Sequence, residues 1–77
     1  MILELQHGSR WTSIYRETIK FPFPDIRAED VTVEFRDGNP KLDSFTDKPD
    51  FIQLFHDGHE IFNASYSKIY FWRIIDA

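Results

Sequence analysis

At 77 residues and without cysteine, the chain is expected to form one small domain, 1–77, that folds by packing alone with no disulfide staple. Its net charge of −4 is unevenly spread: residues 25–60 carry ten acidic and four basic side chains, and the flanking stretches are each slightly basic. That balance argues against a nucleic-acid footprint, and no run approaches the ~20 apolar residues of a membrane-spanning helix.

In chain order, the first element opens at Ile2 and meets Gly8-Ser9, which suits a type II′ turn because glycine occupies its first central position. Such a turn pairs residues whose numbers sum to 17, setting Leu3 against Ile14 and Ile2 against Tyr15. A competing pattern runs through the same stretch. Trp11, Ile14, Tyr15, Thr18 and Ile19 fall at helical spacing, and Ser9 could cap such a helix. The composition, rich in Trp, Thr, Ile and Tyr with no Ala or Leu, leans to strand.

Phe21-Pro22-Phe23-Pro24 ends that element, since two prolines forbid a continuous ladder. The two Phe rings are expected to pack over one end of the core; the alternative is an extended peptide offered to an aromatic groove. Residues 25–30 read as a polar connection with room for a single helical turn. Val31-Thr32-Val33-Glu34-Phe35 then alternates as a strand, and Asp37-Gly38 would turn it so that Glu34 opposes Lys41 and Val33 opposes Leu42. Residues 46–50 read as a loop.

The clearest signal is His56-Asp57-Gly58-His59 between two apolar runs. Asp-Gly favours a type I′ turn, whose central positions both take positive φ. The register then pairs residues summing to 115: His56 with His59, Phe55 with Glu60, Leu54 with Ile61 and Gln53 with Phe62. Phe51, Phe55, Phe62 and Ala64 would share one face, and Ile52, Leu54 and Ile61 the other. After a short loop at 66–68 comes Ile69-Tyr70-Phe71-Trp72-Arg73-Ile74-Ile75, again apolar on both faces. Strict alternation places Ile69, Phe71 and Ile75 in a shared core and leaves Tyr70, Trp72 and Ile74 seeking cover.

The expected fold is all-β, an antiparallel meander of six or seven short strands closing into a barrel or two-layer sandwich. The alternative is α+β, with a helix at about residues 9–20.

Chemistry has little to build on. His56 and His59 face each other across their turn, but two imidazoles fall short of a zinc site. No Gly-x-Ser-x-Gly elbow occurs, and glycines at 8, 38 and 58 cannot make a phosphate-binding loop. No enzyme activity, cofactor or metal is expected. The start, Met1-Ile2-Leu3-Glu4, lacks the basic segment and long apolar run of a secretion signal, so a soluble, cytoplasmic protein is expected.

For function, the leading expectation is a non-enzymatic protein-interaction module, a homo-oligomer or partner of another protein, joined through Tyr70, Trp72 and Ile74. A second is a small β-barrel that binds single-stranded nucleic acid through Tyr70, Trp72 and Arg73, although the acidic charge weighs against it. A third is an acidic inhibitor of a nucleic-acid-binding protein, acting through a patch of Glu29, Asp30, Glu34 and Asp37.

Overall fold

A computed structural model describes residues 1–8, 13–38 and 49–76. Six strands occur among them: β1 (Ile2–His7), β2 (Tyr15–Lys20), β3 (Thr32–Arg36), β4 (Asp50–His56), β5 (His59–Tyr66) and β6 (Ile69–Ile75). A single 3-10 turn at Ala28–Asp30 fills the polar connection before β3. The chain is all-β, in two three-stranded antiparallel sheets ordered β2-β1-β6 and β3-β4-β5. Among the described residues the sheets do not join into a closed barrel, so the barrel form of the expectation is not borne out.

Each sheet places its most buried strand at the centre. Leu3 and Leu5 of β1 and Ile52 and Leu54 of β4 are fully buried and meet in one core, joined by Ile69 of β6. Burying each of these side chains is worth about 1.5–3 kcal/mol, and they are the main apolar contribution to stability. β1 alternates apolar-in and polar-out, while the outer face of β4 carries Phe51 and Phe55 beside Gln53. In β1, Glu4 and Gln6 face away from the core, and in β4 Gln53 does.

The 50s turn forms as its sequence dictates, with Asp57 at φ 51° and Gly58 at φ 77°, both in the region a type I′ turn requires. The first two pairs, His56 with His59 and Phe55 with Glu60, keep the expected register. Beyond them the register shifts by one: Leu54 pairs with Phe62 and Ile52 with Ala64. Ile61 is the extra residue of this bulge. The shift moves Phe62 and Ala64 onto the same face as Ile52 and Leu54, so the hairpin has one core face rather than two apolar ones. Phe51 and Phe55 stay on the outer face, where the Arg36 guanidinium lies 5.8 Å from the Phe51 ring centroid.

The first two strands also differ from expectation. Residues Tyr15–Lys20 are strand, not helix, and β1 pairs with β2 in a longer-looped register, Ile2 with Lys20 and His7 with Tyr15. Residues 9–12 of the competing helix lie outside the described residues. Gly8 allows the chain at Ser13 to come close: a Cβ there would lie 2.7 Å from the Ser13 carbonyl oxygen, closer than any side chain tolerates. β3 pairs on one side with β4, Glu34 opposite Gln53, while its expected partner at 40–43 lies outside the described residues. Phe21 and Phe23 pack as the first of their two readings had it. Their rings stack at 6.2 Å, and Phe21 meets Phe62 edge-on at 5.5 Å against the core.

Candidate functional site: an aromatic end of the two-sheet stack

Antiparallel pairing sorts the strand ends into two groups. One end of the molecule gathers the finish of β1, the start of β2, the finish of β3, the start of β4, the finish of β5 and the start of β6. Three contacts tie it together. The Gly8 N–H donates to the Lys68 carbonyl at 3.0 Å, the Ile69 N–H to Asp50 Oδ2 at 2.8 Å, and the Gly38 N–H to Asp50 Oδ1 at 3.0 Å. The opposite end gathers the Asp57-Gly58 turn, the 21–31 connection and Asp76, whose carboxyl accepts the Ala28 N–H at 2.8 Å.

Among the described residues, the exposed large hydrophobics are Ile14, Tyr15, Phe35, Tyr70 and Phe71, each between 40% and 57% exposed. All five lie in the half that holds the first group of strand ends. Ile14 precedes β2 and Tyr15 opens it, Phe35 sits one residue from the finish of β3, and Tyr70 and Phe71 follow the start of β6.

A β-bulge creates half of this surface. β6 pairs with β1 from Ile2 with Ile75 down to Gln6 with Phe71, then skips a residue so that His7 meets Ile69. Tyr70 is the extra residue. Ile69 and Trp72 therefore fall on the same, inward face, and Tyr70 and Phe71 are left exposed. The expectation that Tyr70, Trp72 and Ile74 share one face is corrected: Trp72 and Ile74 pack against the core, and Tyr70 does not. Phe71, expected inside, is 47% exposed. It shares the outer face with Gln6 and Arg16 in one cross-strand row, and with Glu4 and Arg73 in the next.

Polar groups in mid-sheet and at this end are largely paired. Arg73 grips Glu4 through two nitrogens, at 2.9 and 3.0 Å. Lys68 lies 3.9 Å from Asp37 and 3.8 Å from the buried Asp50. Between the sheets, Glu17 of β2 accepts a 2.9 Å hydrogen bond from the Tyr66 hydroxyl of β5. Burial, the hydrogen bond to Glu17 and the Glu17 charge together push the Tyr66 phenol up to about 12. His7 stacks on Tyr66 with centroids 4.2 Å apart, and its Nε2 comes within 3.3 Å of Glu17 without the alignment of a hydrogen bond.

The four acidic residues read as a patch do not form a compact one. Glu29 and Asp30 precede β3 at one end, Glu34 is in mid-strand within 3.8 Å of Arg36, and Asp37 is at the other end beside Lys68. At strand rise, Asp30 and Asp37 are separated by about 23 Å. His56 and His59 pair as expected, with His56 Nδ1 3.7 Å from Asp57; among the described residues no three metal-ligating groups converge. No helix there is long and apolar enough to cross a membrane. Ile14, Tyr15 and Phe35 were not singled out by the sequence. The one available signal is that Tyr15-Arg16-Glu17-Thr18 is too polar to be covered on both faces.

No family model matches the chain, and neither a curated protein nor a solved structure matches it.

Proposed function

We propose that this protein is a non-enzymatic interaction module, a two-layer β sandwich of one small domain that meets a protein partner through its aromatic end. The observation that carries this reading is the gathering of Ile14, Tyr15, Phe35, Tyr70 and Phe71 in one half of the molecule. Exposed aromatics beside arginine are the composition of interface anchors, and isolated apolar residues would have been scattered instead. The contact surface on β6 is then Tyr70 and Phe71, in place of Tyr70, Trp72 and Ile74. Nucleic acid is supported less, because Arg73 is already held by Glu4 and Lys68 by two carboxyls. An acidic inhibitor is supported less as well, since its carboxylates are strung along β3.

Site-specific photo-crosslinking in cells tests the reading. A photoreactive phenylalanine analogue at position 71 or 15 should yield discrete higher-mass adducts, and the same probe at Glu29 or His59 should yield few. Equal adducts from both ends, or none from either, would overturn it.

A further inference from the structure

We infer that the outer face of the β2-β1-β6 sheet carries a small-molecule site, a hollow between Arg16 and Phe71 that takes an aromatic carboxylate. The site goes beyond the interaction reading, with which it shares Phe71 alone.

β1 is the central strand, so each of its outward residues stands between one residue of β2 and one of β6. Gln6 lies between Arg16 and Phe71, and Glu4 between Thr18 and Arg73. Paired residues of an antiparallel ladder point to the same face, and these six side chains together line a hollow of about 330 Å³ in mid-sheet. That volume is at the small end of ligand sites and suits one small molecule.

Charge selects an anion. This face carries Arg16, Lys20 and Arg73 against Glu4, although the chain as a whole stands at −4. The outer face of the other sheet is the reverse, with Arg36 against Glu34 and Glu60. Of the two guanidiniums at the hollow, Arg73 is held by Glu4. Arg16 is exposed and forms no ion pair among the described residues, and its planar fork matches a carboxylate bidentately. Across Gln6, Phe71 is 47% exposed and offers a ring face for offset stacking. Arg16 and Phe71 stand two strand spacings apart, about 10 Å between Cα atoms, so a ring and a carboxylate joined by two carbons can bridge them.

Arg36 and Phe51 are the corresponding pair on the other sheet, and they make no such site. The Arg36 guanidinium lies 5.8 Å from the Phe51 ring centroid and 3.8 Å from Glu34, so cation and ring already occupy each other.

Titration of phenylpropionate into the isotope-labelled full chain, followed by NMR, tests this. Saturable shifts are expected at Gln6, Arg16, Thr18 and Phe71, with a Kd on the order of 1 mM, and none at Arg36 or Phe51. Phenylpropionamide lacks the charge and acetate lacks the ring, and each should bind at least about fivefold more weakly. Arg16→Gln and Phe71→Ser should each weaken binding about tenfold while the rest of the spectrum stays in place. Raising the salt from about 50 to 500 mM should weaken it about threefold. Equal binding of the amide, no saturation by about 10 mM, or binding kept by Arg16→Gln would overturn the inference. Shifts of the same size at Arg36 and Phe51 would do so as well. An acidic, phenylalanine-containing peptide that binds more than about tenfold tighter than the free acid would make the face a protein interface and overturn the small-molecule site. Crosslinking in cells from position 15 is independent of these outcomes, so the site and the interaction reading can fail separately.

Discussion

The carboxyl group of Asp50, 1% exposed at the start of β4, accepts a 2.8 Å hydrogen bond from the backbone N–H of Ile69 at the start of β6. Its other oxygen accepts from the Gly38 N–H at 3.0 Å, and the Lys68 ammonium stands 3.8 Å away. One side chain thus joins the two sheets and holds the aromatic end closed. Asp50→Asn keeps the size but offers one acceptor in place of two, with an NH₂ turned against an N–H donor. It should destabilise by about 1–3 kcal/mol, and Asp50→Ala by at least as much, because both buried donors lose their partner. Urea unfolding followed by tryptophan fluorescence measures the difference; an unchanged midpoint for Asp50→Ala would remove this role.

Tyr66 carries a pH prediction whose sign follows from its raised phenol. A tyrosine titrates near 10.0 when unconstrained, and in the fold it is pushed up to about 12. The neutral phenol is therefore the form the native state favours. Its contribution is fully present below pH 10 and is lost as the pH rises from there through about 12. Absorbance at 295 nm should show a tyrosine ionisation step displaced toward pH 12. Tyr66→Phe should abolish that late step and flatten the alkaline loss of stability. An alkaline ionisation profile unchanged by Tyr66→Phe above pH 10 would contradict it.

Trp72 and Phe71 are neighbours in sequence with opposite fates. Trp72→Ala removes a ring packed against the buried cluster and should destabilise by about 2–4 kcal/mol. Phe71→Ser alters an exposed position and should change stability by no more than about 0.5 kcal/mol. Thermal melts of the two variants at low concentration check the contrast. Similar losses for both would mean that β6 does not carry the bulge at Tyr70.

Strand content and the Asp57-Gly58 turn were legible because both are local: alternation reports a pleat, and Asp-Gly reports positive φ at two successive positions. Face assignments beyond the turns were not. Ile61 and Tyr70 each add one residue to a strand, and each inverts every face downstream of it. Nothing in Glu60-Ile61-Phe62 or Ile69-Tyr70-Phe71 marks a bulge, since the apolar residues on both sides allow either phase; core packing chooses. The pairing of β1 with β6 was equally hidden, because it joins Ile2 to Ile75 across the length of the chain. Excess apolar surface marks the aromatic strand in its sequence, and the bulge at Tyr70 decides which of its rings face outward.

The turn at Asp57-Gly58 allows a prediction free of packing effects. A Cβ added to Gly58 would meet nothing within 4 Å, so Gly58→Ala introduces no clash. The φ of 77° remains, and alanine in the left-handed region is strained by about 1 kcal/mol or more. Asp57 holds φ 51° without being glycine, which a short polar side chain tolerates; asparagine tolerates it better still. Gly58→Ala should therefore lower stability by about 1 kcal/mol, and Asp57→Asn should hold or slightly raise it. The loss should also speed local opening of the hairpin tip, read by amide exchange at His59 and Glu60, while exchange at Leu3 and Leu5 follows only global unfolding. A Gly58→Ala variant as stable as the parent would mean that the turn relaxes to another type and that the His56–His59 register is not fixed by it.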